Sequence, residues 1–397
     1  MRLLSLIIVT ILLGACTSVP KSELQVLKEK GVKRYIVWNK KEFTKPAGVQ
    51  TLSLGAINAL GYMGAKNVRS LDRVNGFTYE VSSSGASKDL MRPMTALGPD
   101  WEIQEEVEYH TMQSTCQKVT PITCPVTPGP TPDPTPTPTP TPQPIEVAKS
   151  WGITRVHANE AKALVDTSNV KVCVVDTGID LNHPNKGAVV GSIGYAGAVQ
   201  DGNGHGTHTS GTVSGLGGVG VSRAKLLICK GLSDSGSGSS SGLAQCLTWC
   251  GSQGAQIVSN SWGSTQSDAL INQAISSLTQ RGIYVFVANG NDSGPVNWPA
   301  RLAGSNPLVY AVAASDQNDS ISNFSSRGPE TRVISPGSRI TSNWPGGSTR
   351  VLDGTSMATP HAAGICAYGV ARGLKPCIRF SGQVGGYQFG DALTTAK

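Results

Sequence analysis

Short apolar runs alternate with amphipathic stretches across the second half of the chain. VKVCVV, KLLICK, QIVSNS, IYVFVA and LVYAVAA read as buried strands, and SGLAQCLTWCGSQ and DALINQAISSLTQRG between them read as helices. Strands that are apolar on both faces and separated by helices predict an α/β fold, a mostly parallel sheet with helices on both faces. The pattern before Gln113 is different. Lys33 to Gln113 holds RYIVWN, the helical QTLSLGAINALGYMGA, VRSLDRVNGFTYEVS, a second helix near Leu90 and WEIQEEVEYH, a small α+β unit of strand, helix, strand, strand, helix and strand.

Between these two patterns runs TPGPTPDPTPTPTPTPQP, from Thr127 to Pro144. Proline at nearly every second position forbids helix and central strand and favours an extended polyproline rod, rising about 3.1 Å per residue. The chain therefore divides into residues 33–115 (α+β unit), 116–150 (a cysteine-flanked segment and the Pro/Thr linker) and 151–397 (α/β domain). MRLLSLIIVTILLGAC at the start has one cation, Arg2, then an apolar run too short for a comfortable membrane span, and predicts an export signal over residues 1–15. Its ending, Leu13-Gly14-Ala15-Cys16, resembles a bacterial lipobox. That resemblance implies lipid on Cys16, a tether over residues 16–32, and a membrane-anchored lipoprotein facing the periplasm or cell surface.

Export puts the eight cysteines beyond Cys16 where disulfides form. Cys116 and Cys124 are a candidate local pair, Cys246 and Cys250 lie on one helical face but are poorly aimed at each other, and Cys173 reads as a small buried hydrophobe. There is no CxxC pair to suggest zinc. The formal charge of +7 is spread along the chain, which gives no support to a nucleic-acid partner.

In parallel sheets the chemistry gathers at the carboxyl ends of strands. Asp176 leaves the end of VKVCVV in VVDTGID, and His205 lies in DGNGHGTHTSGT before a helix. Ser356 lies in GTSMATPHAAG at the start of another helix, where the dipole favours negative charge. Serine needs a base to take its proton, and the base needs a partner to fix its tautomer. Asp, His and Ser in glycine-rich turns meet that requirement. His205 with His208 is the rival metal pair, and it lacks a third ligand in sequence. The order Asp, His, Ser excludes the α/β-hydrolases, which run Ser, acid, His. An oxyanion also needs fixed donors, and Asn291, just beyond IYVFVANG, is the candidate.

VVDTGID, NGHGTHTSGT and GTSMATPHAAG resemble the three signature segments of the subtilases, the subtilisin-like serine proteases, over Trp151 to Lys397. The resemblance implies Asp176, His205 and Ser356 as the triad and Asn291 as oxyanion donor. It implies that Ser261, Trp262 and Gly263 in SNSWGS pair with substrate, and that Ala288, Asn289 and Gly290 form the opposite wall of the first specificity pocket. Lys33 to Gln113 resembles the family's inhibitory propeptide, which leaves its tail in the cleft, and self-cleavage is expected between Tyr109 and the linker. The chain thus reads as an exported, lipid-tethered serine endopeptidase of proteins and peptides, inhibited by its own propeptide and released from the membrane by processing. The competing readings are an inactive binding module on the same scaffold and an esterase using the same triad. The chemistry requires no cofactor. A structural calcium ion at Asp316, with carbonyls near Pro299, competes with the plainer reading of a turn.

Overall fold

The structure is a computed structural model that describes residues 22–30, 32–41, 43, 65–71, 73–82, 100–112 and 150–397. The export signal, Cys16, the two helices expected before Gln113, Cys116, Cys124 and the Pro/Thr linker lie outside the described residues. Among the described residues no helix is long and apolar enough to cross a membrane.

The first unit is an antiparallel sheet built from β1 (Val32–Asn39), β2 (Lys66–Leu71), β3 (Gly76–Ser82) and β4 (Trp101–Glu105), in the order β2-β3-β1-β4. A short helix, α1 (Glu23–Glu29), precedes it inside the segment expected to be a plain tether. Ser22 and Gln25 close a capping box on α1, and Glu23 reaches Arg34 on β1 at 2.8 Å, so the helix belongs to the folded unit. The stretch expected as one final strand breaks in two at Glu106 and Val107. β5 (Glu108–Thr111) leaves the first sheet and enters another.

The α/β domain opens with two short helices, α2 (Trp151–Arg155) and α3 (Ala158–Leu164). Its sheet contains β6 (Lys171–Asp176), β7 (Val189–Gly194), β8 (Lys225–Lys230), β10 (Ile257–Asn260), β12 (Tyr284–Ala288), β13 (Val309–Ser315), β14 (Thr331–Pro336), β17 (Phe380–Val384) and β18 (Tyr387–Gly390). The order is β17-β18-β14-β13-β12-β10-β6-β8-β7, and every neighbouring pair is parallel except β17 with β18. The short β9 (Ser237–Ser239) and β11 (Trp262–Gly263) lie outside this sheet, and β15 (Ile340–Trp344) and β16 (Ser348–Leu352) form a hairpin.

Strand residues alternate between two cores, which is why these runs are apolar throughout. Val172, Val174, Ile257 and Phe286 pack on one face, under α4 (His205–Ser214) and α7 (Thr355–Ala371). Cys173, Val175, Val258 and Val287 pack on the other, under α5 (Ser240–Ser252) and α6 (Ala269–Gln280). The chain ends in α8 (Ala392–Ala396).

Cys173 is not a free buried thiol. It is disulfide-bonded to Cys250, and Cys229 is bonded to Cys246, so two bridges fasten β6 and β8 to α5. Cys366 is bonded to Cys377. The α5 cysteines face the sheet, which explains why each finds a strand partner and not its helical neighbour.

Candidate active site

Three elements converge at the carboxyl end of the central strands. β6 delivers Asp176, α4 begins with His205 and the first turn of α7 carries Ser356. Close approach of the first two depends on glycine: a Cβ on Gly206 would lie 2.2 Å from the Gly178 carbonyl oxygen. His205 Nδ1–H donates to Asp176 Oδ1 at 2.7 Å. The same carboxylate accepts from Thr177 N at 2.7 Å and from Thr209 Oγ1 at 3.1 Å. A carboxylate accepts only, so its bond fixes the proton on Nδ1 and leaves Nε2 as the basic nitrogen. His205 and Asp176 are almost wholly buried, and Nε2 has no hydrogen-bond partner among the described residues. Ser356 Oγ donates to the Ser261 carbonyl at 2.9 Å, so its proton is given to that carbonyl and not to the imidazole.

One residue that the sequence reading missed ties the first two parts together. Asp201 Oδ1 accepts from Thr177 Oγ1, Asn203 N and Gly204 N, and Oδ2 accepts from Thr207 N and Oγ1, all within 2.7–3.0 Å. It links the turn after Asp176 to the first turn of α4. An acid four residues before His205, at a helix N-terminus, was the available signal.

His208 faces elsewhere. Its Nε2 donates to the Ile340 and Arg350 carbonyls of the β15–β16 hairpin, and burial pushes its pKa down to about 3. His205 and His208 share no partner, and among the described residues no group of three or more His, Cys, Asp or Glu could hold a metal ion. Asp316 Oδ1 accepts from Asn318 N and Ser320 N, an ordinary Asx-type turn.

β5 lies in the groove beside these residues as the middle strand of an antiparallel sheet, between β11 and β9. Trp262 pairs with Thr111 and Gly263 with His110 on one side, while Ser237, Gly238 and Ser239 pair with His110, Tyr109 and Glu108 on the other. The strand ends at Met112, whose N–H donates to Ser261 O at 3.1 Å. Its carbonyl oxygen accepts from Ser356 N at 3.1 Å and from Asn291 Nδ2 at 2.5 Å. Asn291 is aimed by its other side-chain atom, which accepts from Thr355 N and Oγ1. A Cβ on Gly263 would lie 2.5 Å from Met112 Cε, so that glycine makes room for the bound side chain. Tyr109 is fully buried edge-on against Trp262, with ring centroids 5.2 Å apart. Ala288 ends β12, and Asn289 and Gly290 lead from it to Asn291. The Asn289 amide is directed inward to Ser326 O and Thr331 Oγ1, and its backbone N–H bonds Val312 O. Asp292 accepts from Asn297 Nδ2.

The α+β unit also holds the helices of the α/β domain. Glu106, fully buried, accepts from Ser241 N and Oγ at the start of α5 and faces Arg34 at 3.5 Å. Burial raises its pKa, against the helix hydroxyl and Arg34. Gln104 Oε1 accepts from Ala269 N, and Trp38 Nε1 donates to Gln273.

A buried Asp–His pair, a helix-borne serine and two donors converging on the Met112 carbonyl thus meet above the parallel sheet. The family model described as "Subtilase family" matches residues 167–373, and the chain belongs to that family. It has the subtilisin-like α/β fold. M-protease of Shouchella clausii (strain KSM-K16) is 43% identical over 226 residues, covering 55% of this chain and 58% of that protein. Subtilisin Savinase of Lederbergia lenta is 43% identical over 226 residues, covering 82% of its length. Subtilisin-like protease 1 of Trichophyton equinum is 37% identical over 237 residues, covering 46% of its length. The chain thus spans little over half the length of M-protease.

Proposed function

We propose that this chain is a serine endopeptidase made as a zymogen, which cuts itself between Met112 and Gln113. The observation that carries the reading is the Met112 carbonyl oxygen, held by Ser356 N and Asn291 Nδ2 at the end of an antiparallel strand. Those are the donors an oxyanion needs at the carbon under attack. His205 Nε2 takes the proton of Ser356 Oγ as that oxygen bonds the Met112 carbonyl carbon, while Asp176 holds the imidazolium. The proton then passes to the Gln113 nitrogen as the peptide bond breaks and leaves Met112 esterified to Ser356. Water, deprotonated by the same imidazole, releases the carboxylate. Protein and peptide substrates then take the place of β5, pairing with Ser261, Trp262 and Gly263, with Ala288, Asn289 and Gly290 supporting the pocket wall behind them.

Residues 33–112 serve as an intramolecular inhibitor, with α1 as part of the same unit. Its Glu106 and Gln104 satisfy N-terminal amides of α5 and α6, which stabilises the folded domain by mass action while the tether keeps the unit at high local concentration. The lipid at Cys16 stays with the inhibitor, so the cut frees the protease from the membrane. Cys116 and Cys124 both fall on the protease side, and a bridge between them does not rejoin the halves. A fluorophosphonate should label the wild type and not Ser356→Ala. Under lipid labelling the wild type should give a small labelled fragment and an unlabelled protease, and Ser356→Ala one labelled chain. A folded wild type inert to the fluorophosphonate contradicts the enzyme reading, and active enzyme recovered only as one uncut labelled chain contradicts the processing.

A further inference from the structure

α7 contains a proline, Pro360, in its second turn. Proline has no N–H, so the helical bond that residue 360 would give to the carbonyl four residues earlier cannot form. That carbonyl belongs to Ser356. It is buried with the rest of the first turn, and a buried carbonyl without a donor is costly. The donor comes from outside the helix: Ser261 Oγ–H bonds Ser356 O at 2.9 Å. Ser261 is itself almost wholly buried and precedes β11, the strand that pairs with β5. Its own carbonyl accepts from Ser356 Oγ at 2.9 Å and from Met112 N at 3.1 Å. Residues 261 and 356 are therefore joined twice, hydroxyl to carbonyl in each direction.

We infer that the Ser261 hydroxyl is a positioning residue for the nucleophile. It replaces the helix bond that Pro360 removes, and it sets the Ser356 backbone by the substrate-binding strand and not by its own helix. The role expected for Ser261 from its family resemblance was backbone pairing with substrate; this one belongs to its side chain and acts through Ser356. The Ser356 N–H is one of the two donors on the Met112 carbonyl, so a shift of this backbone moves an oxyanion donor and the nucleophile together. Misplacement on the scale of 1 Å costs on the order of a hundredfold in rate.

The inference rests on the protease reading, and a double-mutant cycle of Ser261→Ala with Pro360→Ala separates the two. Pro360→Ala returns an N–H to the same carbonyl. The thermal half of the cycle is run in a Ser356→Ala background, which keeps the carbonyl and stops self-cleavage, and it needs no turnover. There, Ser261→Ala should lower Tm by about 2–4 °C or more, and adding Pro360→Ala should recover at least half of that loss. In the active chain, Ser261→Ala should lower kcat on a peptide anilide at least about tenfold with KM changed less than about threefold, and slow fluorophosphonate labelling in parallel. Equal effects of Pro360→Ala with and without the Ser261 hydroxyl would overturn the bond. A Ser261→Ala enzyme with kcat within about twofold of wild type, or with the whole loss in KM, would overturn the positioning role. A wild type that never reacts with the fluorophosphonate sinks the protease reading and the role with it, whatever the thermal cycle gives.

Discussion

Tyr109 gives the groove its most measurable preference. It is the fourth residue before the proposed scissile bond, it is fully buried, and its ring meets Trp262 edge-on at 5.2 Å. Burying an aromatic side chain removes about 150–250 Å² from water, about 4–6 kcal/mol as an upper bound at 25 cal/mol per Å². Two corrections lower this. The Tyr109 hydroxyl is buried with no hydrogen-bond partner among the described residues, which costs about 1–3 kcal/mol. Ile36, Trp38 and Phe43 of the α+β unit belong to the same apolar cluster, so a free peptide finds a less complete cover. A net of about 2.5 kcal/mol remains, or roughly 70-fold. The assay is kcat/KM of the processed enzyme on anilides of Tyr-His-Thr-Met, Ala-His-Thr-Met and Phe-His-Thr-Met. Tyrosine should exceed alanine by about that factor, and phenylalanine should match or exceed tyrosine because it leaves no hydroxyl unpaired. Alanine within about threefold of tyrosine would refute the reasoning, and so would tyrosine well ahead of phenylalanine.

Asn291→Ala should lower kcat far more than it changes KM, because its amide binds charge that develops only in the transition state; a change confined to KM would make it a ground-state binding group. His205→Ala should abolish fluorophosphonate labelling while a folded His208→Ala retains it, since the His208 ring bonds the β15–β16 hairpin and not Asp176. His361, wholly buried with its pKa pushed down to about 4 by burial, is neutral in the fold. Its depressed value means that its contribution is present above the unfolded pKa of about 6.5 and is lost as pH falls from there towards about 4. In the Ser356→Ala chain, the stability cost of His361→Gln should therefore be largest at pH 7 and smaller by on the order of 2 kcal/mol at pH 4.5; a cost that does not change with pH would contradict the burial account.

The parallel sheet was legible because its strands are apolar on both faces, and the triad candidates were legible because each lies in a glycine-rich turn at an element end. What escaped depended on distant partners. VKVCVV cannot reveal that Cys173 meets Cys250, because that pairing depends on which face of α5 turns to the sheet. α1 was hidden in the tether because its capping box is short and its anchor is Arg34 on another strand. WEIQEEVEYHTMQ reads as one strand by composition, yet Glu106 turns inward to α5 and Glu108–Thr111 enter a different sheet. Asp201 and the Ser261 hydroxyl matter through bonds to other elements; Asp201 left only its place four residues before His205 as a local signal, and the Ser261 hydroxyl left none.

The identity of the bond that is cut bears most directly on self-processing by Ser356. Intact-mass spectrometry of both fragments from freshly secreted wild type, with N-terminal sequencing of the larger, reads it directly. Cleavage between Met112 and Gln113 predicts a protease that begins at Gln113 and an inhibitor fragment that ends at Met112. A first cut at any other bond, or the same cut in Ser356→Ala, would contradict it.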